Sequence, residues 1–68
     1  MNKYEVSLNW HSEIHNFYTY APTKVKALTN AIFQLAEEVG MSARYVRMHI
    51  MEEYKNKFTV KLIKEEKE

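Results

Sequence analysis

The chain has 68 residues, one glycine, one proline and no cysteine. That length suits a single domain, which buries only roughly 60% of its unfolded surface, and the lack of thiols excludes disulfides and thiolate metal sites as supports. Ten basic and nine acidic residues leave a formal charge of +1, too little for a bulk field that steers nucleic acid, so any such role needs a local patch.

Residues 3–10, KYEVSLNW, alternate, with Tyr4, Val6, Leu8 and Trp10 on one face and Lys3, Glu5, Ser7 and Asn9 on the other. This is the period of a half-buried strand. Residues 14–20, IHNFYTY, predict a second strand from their aromatic and β-branched content. His11, Ser12 and Glu13 between them predict a hairpin. Two registers are open. A three-residue loop at 11–13 sets Trp10 opposite Ile14 and Val6 opposite Tyr18, whereas a two-residue loop at Ser12 and Glu13 sets Trp10 opposite His15 and Leu8 opposite Phe17. A one-residue slip exchanges the faces, leaving either Phe17 or the pair Tyr18 and Tyr20 exposed.

Pro22 closes the sheet segment, and Thr23 is an N-cap candidate for a helix over 23–39. Val25, Leu28, Ile32, Leu35 and Val39 form a core-facing stripe with Ala31 and Ala36 beside it, while Phe33 falls off it. Gly40 is placed to take the left-handed conformation that ends a helix. Ser42 is the next N-cap candidate, and Ala43, Val46, Ile50 and Tyr54 follow at helical spacing. Val46, Met48 and Ile50 also alternate as in a strand, but the length of 43–54 and its cap favour helix. Residues 55–57 predict a turn, and 58–63, FTVKLI, a last strand with Phe58, Val60 and Leu62 inward. Residues 64–68 are a charged tail expected to fray. The expected fold is one small α+β domain over 1–68, β-β-α-α-β, with a three-stranded antiparallel sheet packed on two helices. The alternative, with a strand after Ser42, is β-β-α-β-β.

The charges stand at the wrong helix ends for stability. Lys24 and Lys26 fall in the first turn of one helix and Arg44 and Arg47 near the start of the other, while Glu37, Glu38, Glu52 and Glu53 come late. The helix dipole prefers the reverse order. Basic residues at an N-terminus suit a helix end that meets an outside anion such as a phosphate.

Residues 35–50, LAEEVGMSARYVRMHI, carry Ala36 in the first helix, Val39 before the turn, Gly40 in it, Ser42 as a cap, and Val46 and Ile50 packing inward. A small residue at 36 lets the helices approach, and glycine takes the left-handed turn. This segment resembles the helix-turn-helix unit of small DNA-binding regulators. A hairpin stands where a third helix would precede the unit, and His49 occupies a place that is often apolar. The resemblance implies that the second helix enters a major groove of duplex DNA with its N-terminal half leading. By position, Ala43, Arg44, Tyr45, Arg47 and Met48 would face the bases and backbone, Ser42 and the following amides a phosphate, and Lys24 and Lys26 further phosphates. A homodimer, which would also enlarge a small core, is the expected assembly.

A second reading is a non-catalytic protein-interaction module or inhibitor, of a kind met among phage and mobile-element products. It would use an aromatic hairpin face, Trp10, Phe17, Tyr18 and Tyr20, with Met48 and Met51, since aromatics and methionine suit protein contacts. The same aromatics could stack single-stranded nucleic acid, but Lys3 is the only base on either hairpin strand. His11 and His15, with Glu13, are disfavoured as a zinc site, being four apart on a hairpin rather than on one helical face. With no cysteine, no aspartate and no glycine-rich loop, no enzyme motif is present. No cofactor is expected. The opening MNKYEVSL lacks a signal-peptide run, and no stretch approaches the roughly 20 apolar residues that span a bilayer. The expectation is a cytoplasmic protein without membrane contact.

Overall fold

The computed structural model describes residues 1–52 and 58–65. Strand β1 (Asn2–Trp10) and strand β2 (Glu13–Ala21) are followed by helix α1 (Lys24–Val39), helix α2 (Ala43–Glu52) and strand β3 (Phe58–Glu65). The fold is β-β-α-α-β, and the sheet order is β2-β1-β3 with both neighbours antiparallel to β1. The alternative with a strand after Ser42 is ruled out, because that segment is α2. Among the described residues no helix is long and apolar enough to cross a membrane.

β1 is the central strand, and its pleat divides the molecule. Tyr4, Val6, Leu8 and Trp10 are buried beneath the helices, together with Phe17 and Ala21 of β2. Burial of Tyr4 strands no hydroxyl, because Asn2 Nδ2 donates to it at 3.2 Å. From the helices come Ala27, Leu28, Ala31, Ile32, Leu35 and Ala36 of α1, and Val46 and Ile50 of α2.

The hairpin adopts neither of the two registers read from the sequence. Trp10 lies opposite Glu13, Leu8 opposite His15 and Val6 opposite Phe17. The loop is His11 and Ser12, both with positive φ, 50° and 68°. Two positive φ values are the mark of the type I′ turn, whose twist matches that of the flanking strands. His and Ser are unusual there, which is why the turn is hard to read. The register differs from the second expected one by two residues, so the faces agree with it: Phe17 is buried, and Tyr18 and Tyr20 are 58% and 52% exposed.

α1 is capped at both ends by the residues expected. The amide of Lys26 donates to Thr23 Oγ1 at 3.2 Å. Gly40 has φ 69° and donates to the Glu37 carbonyl at 3.4 Å, while Met41 N–H reaches the Ala36 carbonyl at 3.0 Å. That pair of bonds is the Schellman arrangement.

Val25 departs from the expected stripe and is 70% exposed. Its angle on the helix is right, but it sits in the first turn, where it lines an open depression with Leu28, Met51 and Phe58. Leu62 also departs. It shares the core face opposite Tyr4, yet is 41% exposed, because the helices cover β1 and β2 more fully than this end of β3. Lys64 and Glu65, read as part of a frayed tail, are strand residues paired with Lys3 and Asn2. Glu53, Tyr54, the turn at 55–57 and residues 66–68 lie outside the described residues.

Candidate nucleic-acid interface

α2 follows α1 after a tight link through Gly40, Met41 and Ser42. Its start is held by Ser42, whose Oγ accepts from the Tyr45 amide at 3.2 Å and whose carbonyl accepts from Val46 N–H at 3.1 Å. Val46 and Ile50, both at 0% exposure, dock the helix into the core. Much of the rest of the helix is open to solvent. Arg44, Tyr45, Arg47 and Met48 are exposed, and neither helix has an acid in its first turn. The positive end of the α2 dipole therefore stands unopposed by a neighbouring carboxylate of its own first turn.

Trp10 braces this helix from the hairpin. Its ring meets His49 edge-on with centroids 4.8 Å apart, His11 at 4.7 Å and Tyr45 at 6.4 Å. His11 and His49 lie 5.4 Å apart, centroid to centroid. This explains the histidine at a place that is often apolar: His49 is half-buried against an indole edge. The role of Trp10 in positioning α2 had no signal in the sequence, since β1 and α2 are far apart along the chain.

Other candidate residues fall elsewhere. Arg44 and Arg47 flank a groove of about 390 Å³ between the helices, shared with Thr29, Ile32, Phe33 and Ala43. Lys24 and Lys26 are exposed, but Lys24 lies beside Met51, toward the other end of α2. Trp10 and Phe17 are core residues and do not join an exposed aromatic face with Tyr18 and Tyr20. Met48 and Met51 are exposed on α2, on the helix side of the sheet. His15 faces Glu38, with Nδ1 3.9 Å from Oε1, and so is directed to α1 while His11 is directed to α2. Among the described residues, no three His, Asp or Glu side chains gather as a metal site.

On the far side of the sheet, Tyr18 donates its phenolic hydrogen to Glu5 Oε2 at 2.9 Å. That hydrogen bond, reinforced by the carboxylate's charge, raises the Tyr18 pKa above its ordinary value. Lys3 Nζ stands 5.8 Å from the Tyr18 ring centroid and 5.9 Å from that of Tyr20.

No family model, curated protein or solved structure matches this chain.

Proposed function

We propose that this domain binds duplex DNA, with little sequence preference, by laying the exposed side of α2 in a major groove. The observation that supports the reading is the division of α2 itself. Val46 and Ile50 hold it to the core, and Arg44, Tyr45, Arg47 and Met48 are exposed. Arginine is suited to guanine edges and to phosphate, and tyrosine to the backbone or a thymine methyl. The placement of Lys24 fits the same pose. A helix of ten residues is about 15 Å long, and the major groove is about 12 Å wide. Arg44 at one end and Lys24 beside the other would then meet phosphates on opposite walls. Two copies would place two such helices in successive grooves.

The test is electrophoretic mobility of generic duplex across a salt series. Arg44→Ala with Arg47→Ala should abolish the shift with the circular dichroism spectrum unchanged. Where Arg44 or Arg47 contacts a phosphate, the single alanine variant at that position should lower the slope of log K against log salt by about 0.9. Binding indifferent to salt, or unchanged in the double variant, refutes the proposal.

A second reading, a protein contact through the same helix, draws on the apolar groove that Phe33 shares with Arg44 and Arg47. There, Phe33→Ser would remove binding that the arginine variants leave in place.

A further inference from the structure

The sheet face turned away from the helices carries a patch that the hairpin alone does not possess. Its rings are Tyr18 and Tyr20, on the same side of β2 and exposed. Residues two apart on a strand stand about 6.6–6.8 Å apart, so the rings form two consecutive steps. The hairpin contributes one cation, Lys3, paired with Tyr20. β3 adds two more to the same face. Lys61 pairs with Glu5, and Lys64 pairs with Lys3.

Lys64 arrives there through a bulge. The β1–β3 register runs Leu8 to Phe58, Val6 to Val60 and Tyr4 to Leu62, then shifts, so that Lys3 meets Lys64 and Ile63 is passed over. Without that extra residue, an isoleucine would sit beside Lys3. The row across the sheet is therefore Lys64, Lys3, Tyr20, and the next is Lys61, Glu5, Tyr18. Three ammonium groups and one carboxylate leave these two rows positive.

From this arrangement we infer that the open sheet face binds single-stranded nucleic acid, separately from any duplex contact by α2. Charge complementarity selects a polyanion. The two exposed rings select one with unpaired bases, since every base has a face to stack. Lys3 lies between the rings, within cation–π distance of both. A base stacked on each ring leaves the linking phosphate near that ammonium. Glu5 takes the Tyr18 hydroxyl and so orients its ring, while Lys61 opposite offsets its charge. A second copy of this chain would set like charges against each other on the Lys3 and Lys64 row.

The test is fluorescence anisotropy of labelled oligothymidylate and oligouridylate at low and moderate salt, with polyglutamate as a competing polyanion. Wild type should bind both oligonucleotides, and polyglutamate should compete poorly. Tyr18→Ala with Tyr20→Ala should weaken binding by about tenfold or more per ring. Tyr18→Phe with Tyr20→Phe should recover most of it, short of the part that the Glu5 bond contributes by orienting the Tyr18 ring. Lys61→Gln and Lys64→Gln should each lower the salt slope by about 0.7. Arg44→Ala with Arg47→Ala should leave single-strand binding in place, so failure of the duplex proposal and failure of this one are told apart. The inference is overturned by any of three results. These are no single-strand binding at low salt, binding that survives loss of both rings, or binding that the α2 arginines alone control.

Discussion

Trp10 and His49 meet edge to face, 4.8 Å between ring centroids, and this contact joins the end of the hairpin to the exposed helix. Trp10 is also 5% exposed, so its ring closes the core at that corner. Trp10→Ala should cost about 3–5 kcal/mol, the usual range for a buried aromatic truncated to alanine. Trp10→Phe should keep the fold at a smaller cost. Hydrogen exchange on the phenylalanine variant should show α2 amides losing protection before those of α1. Equal loss in both helices would mean that the indole does not position α2 in particular.

Gly40 occupies the left-handed region at φ 69°, and nothing lies within 4 Å of where a Cβ would be. The cost of a side chain there is therefore conformational and not steric crowding by neighbours. Gly40→Ala should destabilise by roughly 1–2 kcal/mol, and Gly40→Asn by less, because asparagine visits this region more readily. Urea midpoints of the two variants check the order.

His15 is half-buried on the core face opposite Leu8, and its Nε2 is buried without a hydrogen-bond partner among the described residues. Its ring lies parallel to that of Phe17, at 10° and 6.5 Å. An unpartnered buried nitrogen costs about 1–3 kcal/mol, whereas a pair as exposed as that with Glu38 is worth about 0–1 kcal/mol. The first effect is the larger. His15→Phe should raise stability by about 1 kcal/mol, a rise in melting temperature of about 4–8 °C for a domain of this size. A lower melting temperature would show that this nitrogen is satisfied in solution.

Tyr18 should ionise above the ordinary phenol value of about 10, because it donates to a carboxylate that disfavours the phenolate. The sign follows from the raised folded-state value. Stability from this bond is fully present below the unfolded-state value and is lost as pH rises through the folded one, so the window is strongly alkaline. Ultraviolet titration should show a late step from Tyr18. Tyr18→Phe should remove that late step, and Glu5→Gln should return it toward the ordinary value. The same substitution of Glu5 should strengthen single-strand binding by removing the one carboxylate from these rows.

Several elements could be read locally. The alternation of Tyr4, Val6, Leu8 and Trp10 needs no distant partner to identify a half-buried strand. Thr23 and Gly40 mark helix ends through the backbone conformations they favour. The cap at Ser42 and the length of 43–54 favour a helix over a strand, although Val46 and Ile50 fit both periods. The exposed basic residues of α2 follow from the same angular arithmetic.

The rest depended on pairing between distant segments. A His-Ser turn carries no strong type I′ signal, so the register is not legible locally, and burial of Phe17 fixes the inward face but not the pairing, since the register with Leu8 opposite Phe17 buries it too. Val25 has a core-side angle but lies in the first turn of α1, on the open depression beside Met51, a fact about the reach of another helix. Trp10 reads as a hairpin aromatic until α2 packs on it. Lys61 and Lys64 join Tyr18 and Tyr20 only because β3 lies beside β1 and a bulge passes over Ile63. By itself the sequence determined which segments coil, which extend and which side of each is apolar, since those properties repeat every two or 3.6 residues. The tertiary structure alone decided which charges and rings share a face, because strand order and register arise from contacts between residues far apart in the chain.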